Sequence, residues 1–116
     1  MITPTRGDVW RVRFDPAEGA EIKKVRPCVV MSVAEVGVLP LRIIVPITEW
    51  KDSFASRPWL VRLAPTTGNG LSKESAADAF QVKSLSIDRF VDRVGVLTEQ
   101  DIEEIAAAIV VCIGYI

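Results

Sequence analysis

Residues 7–14 read GDVWRVRF, where Trp10, Val12 and Phe14 alternate with Arg11 and Arg13. A period of two marks a strand with one face buried and the other in water, so this strand is expected to carry a basic outer face. Working outward, Asp15, Pro16 and Gly19 break the strand. From Asp15 to Val25, Glu18, Glu21, Lys23 and Lys24 follow no apolar period. That segment reads as a long, polar, exposed hairpin loop. PCVVMSV (27–33) and LRIIVPIT (41–48) are β-branched runs suited to buried strands. Pro27 is tolerable as a first strand residue, and Pro46 implies an edge or a bulge. A further strand is expected from Trp59 to Leu63.

Between Thr48 and Pro58, TEWKDSFASRP mixes charge with Trp50 and Phe54 and reads as a second exposed loop. PTTGNG (65–70) is a turn, because Gly68 and Gly70 permit positive φ and Asn69 tolerates it. AADAFQVKSL (76–85) is expected to form one strand, SIDRF (86–90) a helical turn capped by Ser86, and VDRVGVL (91–97) a short returning strand. The last element is a helix. Thr98 is a good N-cap, Glu99 and Asp101 place acids in the first turn, and Ile102, Ile105, Ala106, Ile109 and Ile113 fall at helical spacing. Several short strands followed by one amphipathic helix indicate an α+β domain built on a strongly curved, barrel-like antiparallel sheet.

At 116 residues, 49% hydrophobic and 25% charged, the chain is expected to be a single domain spanning 1–116. Fourteen basic groups nearly cancel fifteen acidic ones, so nucleic acid would be gripped locally and not through bulk charge. The charges are unevenly placed: residues 1–93 hold all fourteen bases and eleven acids, while 94–116 hold four acids and no base. The longest apolar stretch, Ile105 to Gly114, is shorter than the roughly 20 residues of a membrane span. No signal peptide is visible in MITPTRGDVW, and the expectation is a cytoplasmic protein without membrane attachment. Cys28 and Cys112 sit among apolar neighbours and read as small core residues. The chain has no histidine, which removes Ser-His-Asp, Cys-His and zinc-hydrolase mechanisms from its repertoire.

Five words occur in order: RGDVWRVRFDPAEGAE (6–21), KVRPCVVMS (24–32), IIVPIT (43–48), GLSKESAADAFQVKSLS (70–86) and RFVDRVGVLTEQD (89–101). Together they resemble the MazF and PemK toxin endoribonucleases over nearly the whole chain. The resemblance implies a small SH3-like barrel, shared with the CcdB gyrase poisons and assembled as a homodimer. It also implies the toxin of a type II toxin–antitoxin system that cleaves single-stranded RNA sequence-selectively, with no metal or other cofactor. Its partner would be a MazE-like antitoxin whose acidic, partly disordered tail folds over the RNA path. In that family the Arg of the Arg-Pro word, here Arg26, and the Thr of the Pro-Ile-Thr word, here Thr48, are the principal catalytic residues. Glu21 corresponds to the Glu of the family's Gly-Ser-Glu word, with Ala20 standing where Ser is common. Gln81 corresponds to a Gln placed to contact RNA.

The chemistry of the residues is compatible with this. RNA carries its own nucleophile, the 2′-hydroxyl, so an enzyme need only align that oxygen with phosphorus and stabilise the charge that develops. A planar guanidinium donates two parallel hydrogen bonds to phosphate oxygens, which suits Arg26, and the Thr48 hydroxyl can add a third. The family's usual description assigns acid and base work to the Arg. Its pKa above about 12 argues instead for Glu21, five residues earlier, as the base. Lys24, Trp50 and Phe54 complete the RNA-binding candidates, the aromatics by stacking on unpaired bases.

Each residue also has a bland reading: Arg26 as a solvated charge, Thr48 as a strand-end residue, Glu21 in a surface ion pair with Lys23 or Lys24, Gln81 bonded to the sheet edge, Trp50 and Phe54 buried under their loop. Trp10 and Trp59 are expected in the core. Two other functions compete: a CcdB-like toxin that binds gyrase, and a degenerate member that binds RNA or a partner without turnover.

Overall fold

The computed structural model describes residues 3–14, 18–20 and 24–115. Its strands are β1 (Asp8–Arg13), β2 (Val25–Val30), β3 (Leu41–Glu49), β4 (Leu60–Leu63), β5 (Ser75–Asp78), β6 (Lys83–Ser86) and β7 (Phe90–Val96), followed by helix α1 (Glu99–Ile113). All strand pairs are antiparallel, in the order β4-β5-β3-β2-β1-β7, with β6 pairing β3 off this path. Among the described residues no helix is long and apolar enough to cross a membrane.

β3 organises the sheet. One edge pairs with β2, and the other is shared by β6 along Leu41–Ile44 and β5 along Ile47–Glu49. Pro46, which has no N–H to give a ladder, falls where that second edge changes partner. The expected edge or bulge at Pro46 is thus a handover between two strands. Register shifts between Val9 and Trp10 and between Arg11 and Val12, on the β1–β7 side, add to the curl.

The single strand expected over 76–85 is two strands. Asp78 accepts from the Phe80 amide (3.1 Å) and starts a 3-10 turn over Ala79–Gln81, which separates β5 from β6. The Ser86-capped turn is present, as a 3-10 turn over Ile87–Arg89 with the Ser86 hydroxyl accepting from the Asp88 amide. The loop after Thr48 contains another, over Asp52–Ser56.

Curling covers both faces of the central strands, which explains the unbroken apolar reading of β2 and β3. One cluster joins Val9, Val29, Val45, Ile47, Leu63 and Ala77 to Ile102 and Ile105 of α1. The other joins Trp10, Val12, Phe14, Cys28, Val30, Ile44, Leu85 and Phe90, with Trp10 edge-on to Phe90 at 5.7 Å. Trp59, expected in the core, is only half-buried and packs against exposed Phe80. α1 starts as expected, the Thr98 hydroxyl accepting from the Asp101 amide (3.2 Å), and stops at Gly114 in the left-handed region. Ile113 lies exposed, off the packed face. Both cysteines are free, Cys28 buried and Cys112 half-buried.

The sheet does not close on itself by strand pairing. The PTTGNG turn bridges its outer strands instead: Gly68 O accepts from the Val96 amide (2.9 Å), at the end of β7. Asn69, buried in this turn, accepts from the Thr66 and Leu71 amides and donates to Ala64 O just past β4. A second tie is Asp8, buried at the start of β1. Its carboxylate accepts from the Thr5 amide and hydroxyl, Trp10 Nε1 and Arg93 Nε, joining the N-terminal segment to β7.

Candidate functional site

The β1–β2 ladder closes with the Phe14 amide donating to Lys24 O (2.9 Å), and Lys24 has φ +67°. It is the one non-glycine at positive φ among the described residues, a backbone setting that an L-residue keeps only where its surroundings impose it. Two residues on comes Arg26, paired with Val12 and exposed. Pro27 behind it restricts Arg26 to extended backbone.

On its other side β2 pairs with β3 through Val30 and Ile44, Val29 and Val45, then Cys28 and Pro46, where the ladder stops beside two prolines. The same register carried two residues further sets Arg26 opposite Thr48. Thr48 is half-buried and pairs on its far side with Ala76 of β5, which pairs with Arg62 of β4. Side chains of directly opposed residues share one face of a sheet, so Arg62, Ala76 and Thr48 form one transverse line and Arg26 and Val12 another, and the extended β2–β3 register aligns the two as a row. Among the described residues neither the Arg26 nor the Thr48 side chain has a hydrogen-bond or ion-pair partner. Glu21 lies outside the described residues.

Trp50 and Phe54 stand beside this row. The Trp50 amide donates to Glu74 O (3.0 Å), continuing the β3–β5 register, and the two rings meet edge to face at 5.8 Å. Both are half-buried, and each carries a cation: the Arg62 guanidinium lies 4.8 Å from the Trp50 ring centre and that of Arg57 5.7 Å from Phe54. Arg62 Nε also donates to Glu74 Oε1 at 2.9 Å. The buried Trp50 Nε1 has no hydrogen-bond partner among the described residues. Arg57, Arg62 and Glu74 escaped the sequence reading. Arg62 stands in an ordinary strand pattern, and its relation to Thr48 exists only through β5.

Gln81 lies off the row, in the 3-10 turn beyond the opposite end of β5, and its side-chain nitrogen donates to Asp78 Oδ2 (3.0 Å). Lys24 is exposed at the mouth of the β1–β2 loop. Cys28, on the same strand as Arg26, is no rival nucleophile: burial pushes its thiol up to about 12, only partly offset by a backbone hydrogen bond from Trp10. Among the described residues no cluster of His, Cys, Asp and Glu is arranged to hold a metal ion. The row therefore offers a guanidinium and a hydroxyl on one face of the sheet, flanked by a chain of two rings and two further guanidinia, a surface suited to a phosphodiester with unpaired bases.

Comparison with known proteins gives a family and a fold. A family model described as a PemK-like, MazF-like toxin of type II toxin–antitoxin systems matches residues 5–113. The Mycobacterium tuberculosis protein named Endoribonuclease MazF9 is 29% identical over 110 residues, covering 90% of this chain and 91% of that one. The crystal structure of MazF from Deinococcus radiodurans superposes with a TM-score of 0.82 at 22% identity, covering 98% and 99% of the two chains. A mycobacterial endoribonuclease solved in complex with its cognate antitoxin superposes with a TM-score of 0.77 at 19% identity, covering 98% of each.

Proposed function

Because the chain belongs to the PemK-like, MazF-like toxins of type II toxin–antitoxin systems, we propose that it is an endoribonuclease that cuts single-stranded RNA sequence-selectively, without a metal, through the RNA's own 2′-hydroxyl. The observation that supports this is the β2–β3 register, which, carried two residues past the Cys28–Pro46 pair, sets Arg26 opposite Thr48. The Arg26 fork donates to two non-bridging oxygens of the scissile phosphate, and the Thr48 hydroxyl donates to the same centre. Both sets of bonds strengthen as the fifth oxygen approaches phosphorus and negative charge accumulates.

The 2′ proton must leave as that oxygen attacks. Arg26 is unsuited to take it while charged, so Glu21 is the base we assign, five residues before Arg26. The P–O5′ bond breaks, the 5′-oxygen takes up a proton, and the products are a 2′,3′-cyclic phosphate and a 5′-hydroxyl. Lys24 and Gln81 are assigned to RNA contact, Lys24 to phosphate and Gln81 through its amide.

The complex of a structural neighbour with its cognate antitoxin supports a similar partner here. An acidic antitoxin tail suits the basic groups of residues 1–93 around the Arg26 row, and blocking that row is the inhibition we assign to it. The homodimer implied by family likeness is supported by apolar residues on the β2–β3 connection, where Val36 and Leu39 are exposed and Val38 is 100% exposed.

The deciding experiment is incubation with 5′-labelled single-stranded RNA in EDTA, followed by analysis of both new ends. Cyclic-phosphate and 5′-hydroxyl ends are expected. Intact RNA, or 5′-phosphate ends, overturns the assignment.

A further inference from the structure

The aromatic pair beside the Arg26 row does not present bare rings. Trp50 is capped by Arg62 at 4.8 Å, and Arg62 is held from the side by Glu74 at 2.9 Å. A guanidinium fixed at one edge and backed by an indole has one planar face left for a ligand. The Arg62 side chain is 58% exposed, so it stays accessible to a ligand from solvent. Arg62 also belongs to the row of Thr48, with Ala76 between them. Strands lie about 4.8 Å apart, so its backbone sits roughly 10 Å from that of Thr48, within about two nucleotides of the scissile phosphate.

From this geometry we infer that Arg62, held by Glu74 on Trp50, is a base-stacking platform that selects the nucleotide flanking the cleaved bond. The inference rests on the endoribonuclease reading for the identity of the ligand. A base laid on the open face completes a Trp50–guanidinium–base sandwich. Each layer of that stack is planar, and the cation is partly desolvated by both neighbours. With Nε committed to Glu74, the terminal nitrogens of Arg62 remain to donate to an acceptor on an adjacent base edge or phosphate. Lysine would keep the charge but has no plane to stack, which separates this role from simple attraction of phosphate.

The test measures equilibrium binding of two fluorescein-labelled oligomers to the whole chain: 2′-O-methyl U10, which cannot be cleaved, and an abasic phosphate spacer of equal length. Wild type, Arg62→Lys and Glu74→Gln are compared after their thermal unfolding has been shown to match. Arg62→Lys is expected to weaken U10 about tenfold, the scale of one lost stacking contact, and to leave the spacer within about twofold. Glu74→Gln should weaken U10 in the same sense by a smaller factor. Equal weakening of both oligomers, unchanged U10 binding by Arg62→Lys, or failure of the wild type to bind U10 each overturns the platform.

Cleavage of a random RNA pool by the same proteins separates this inference from the function it rests on. Selective weakening of U10 without cleavage by the wild type keeps the platform and removes the nuclease. Normal cleavage with an unaltered site profile in Arg62→Lys removes the platform and keeps the nuclease. Relaxed preference at one flanking base supports both.

Discussion

The Val96 amide donates to the Gly68 carbonyl at 2.9 Å, and this bond ties the last strand to the turn that follows β4. The two chains approach so closely that a Cβ on Gly95 would lie 2.4 Å from Gly68 O and 2.5 Å from the Asn69 carbonyl carbon. Neither neighbour is a flexible side chain. Gly95→Ala is therefore expected to destabilise the protein by about 2–4 kcal/mol, read as a lower urea midpoint, because the turn must move off β7 and the buried Asn69 bonds go with it. An unchanged midpoint would mean that the turn does not fasten the sheet.

On the proposed mechanism, removing the Arg26 fork takes away two donors to the charged transition state. Arg26→Ala should lower kcat/KM on single-stranded RNA by at least about 10²-fold, and Arg26→Lys by about 10-fold or more, since an ammonium cannot make the paired contact. Because Arg26 is exposed, unfolding curves should hardly change. Retained activity in Arg26→Ala would show the site to be elsewhere.

Glu21→Gln tests the proton acceptor. If Glu21 takes the 2′ proton, the variant loses about 10²-fold in kcat and the acidic limb of the pH–rate profile disappears with it. A rate and profile like the wild type's would return the base role to Arg26.

Asp8 gives the fold a defined acid response. Burial alone would raise its carboxyl pKa, but hydrogen bonds from Thr5, Trp10 and Arg93 outweigh that and hold it below its ordinary 3.8. A lowered folded-state pKa means that the stabilisation is complete above the unfolded value and is lost as pH falls through the folded one. Asp8→Asn should cost about 1–3 kcal/mol at pH 7 in urea unfolding. The gap between variant and wild type should narrow as pH falls below 3.8 and close once pH passes below the lowered folded-state value, where both side chains are neutral.

Local chemistry made much of this molecule legible from its sequence. The alternation in GDVWRVRF, the β-branched runs of β2 and β3, the Ser86 and Thr98 caps and the PTTGNG turn each depend on residues a few positions apart. The ordered words around Arg26 and Thr48 pointed to the family whose model spans 5–113. Where a short-range signal was missing, the reading failed. AADAFQVKSL has strand-like composition but no period, so the Asp78 bond that splits it went unseen. Trp59 looked like core because size and pattern do not reveal that it precedes β4, a strand at the end of the sheet order.

Which residues meet across strands was decided by the tertiary structure alone. Arg26 and Thr48 are 22 positions apart in the chain, and Arg62 reaches their row only through Ala76. Periodicity says which face a side chain takes, not which strand lies beside it or in what register. Partner and register are set by how the curled sheet buries both clusters of its core at once, with the Gly68–Val96 bond and the Asp8 tie holding its ends. The sequence thus determined the kind of elements and which side chains are candidates for the chemistry, because those depend on local chemistry. The assembly of those groups into one surface depends on packing between distant segments, which no short stretch of chain encodes.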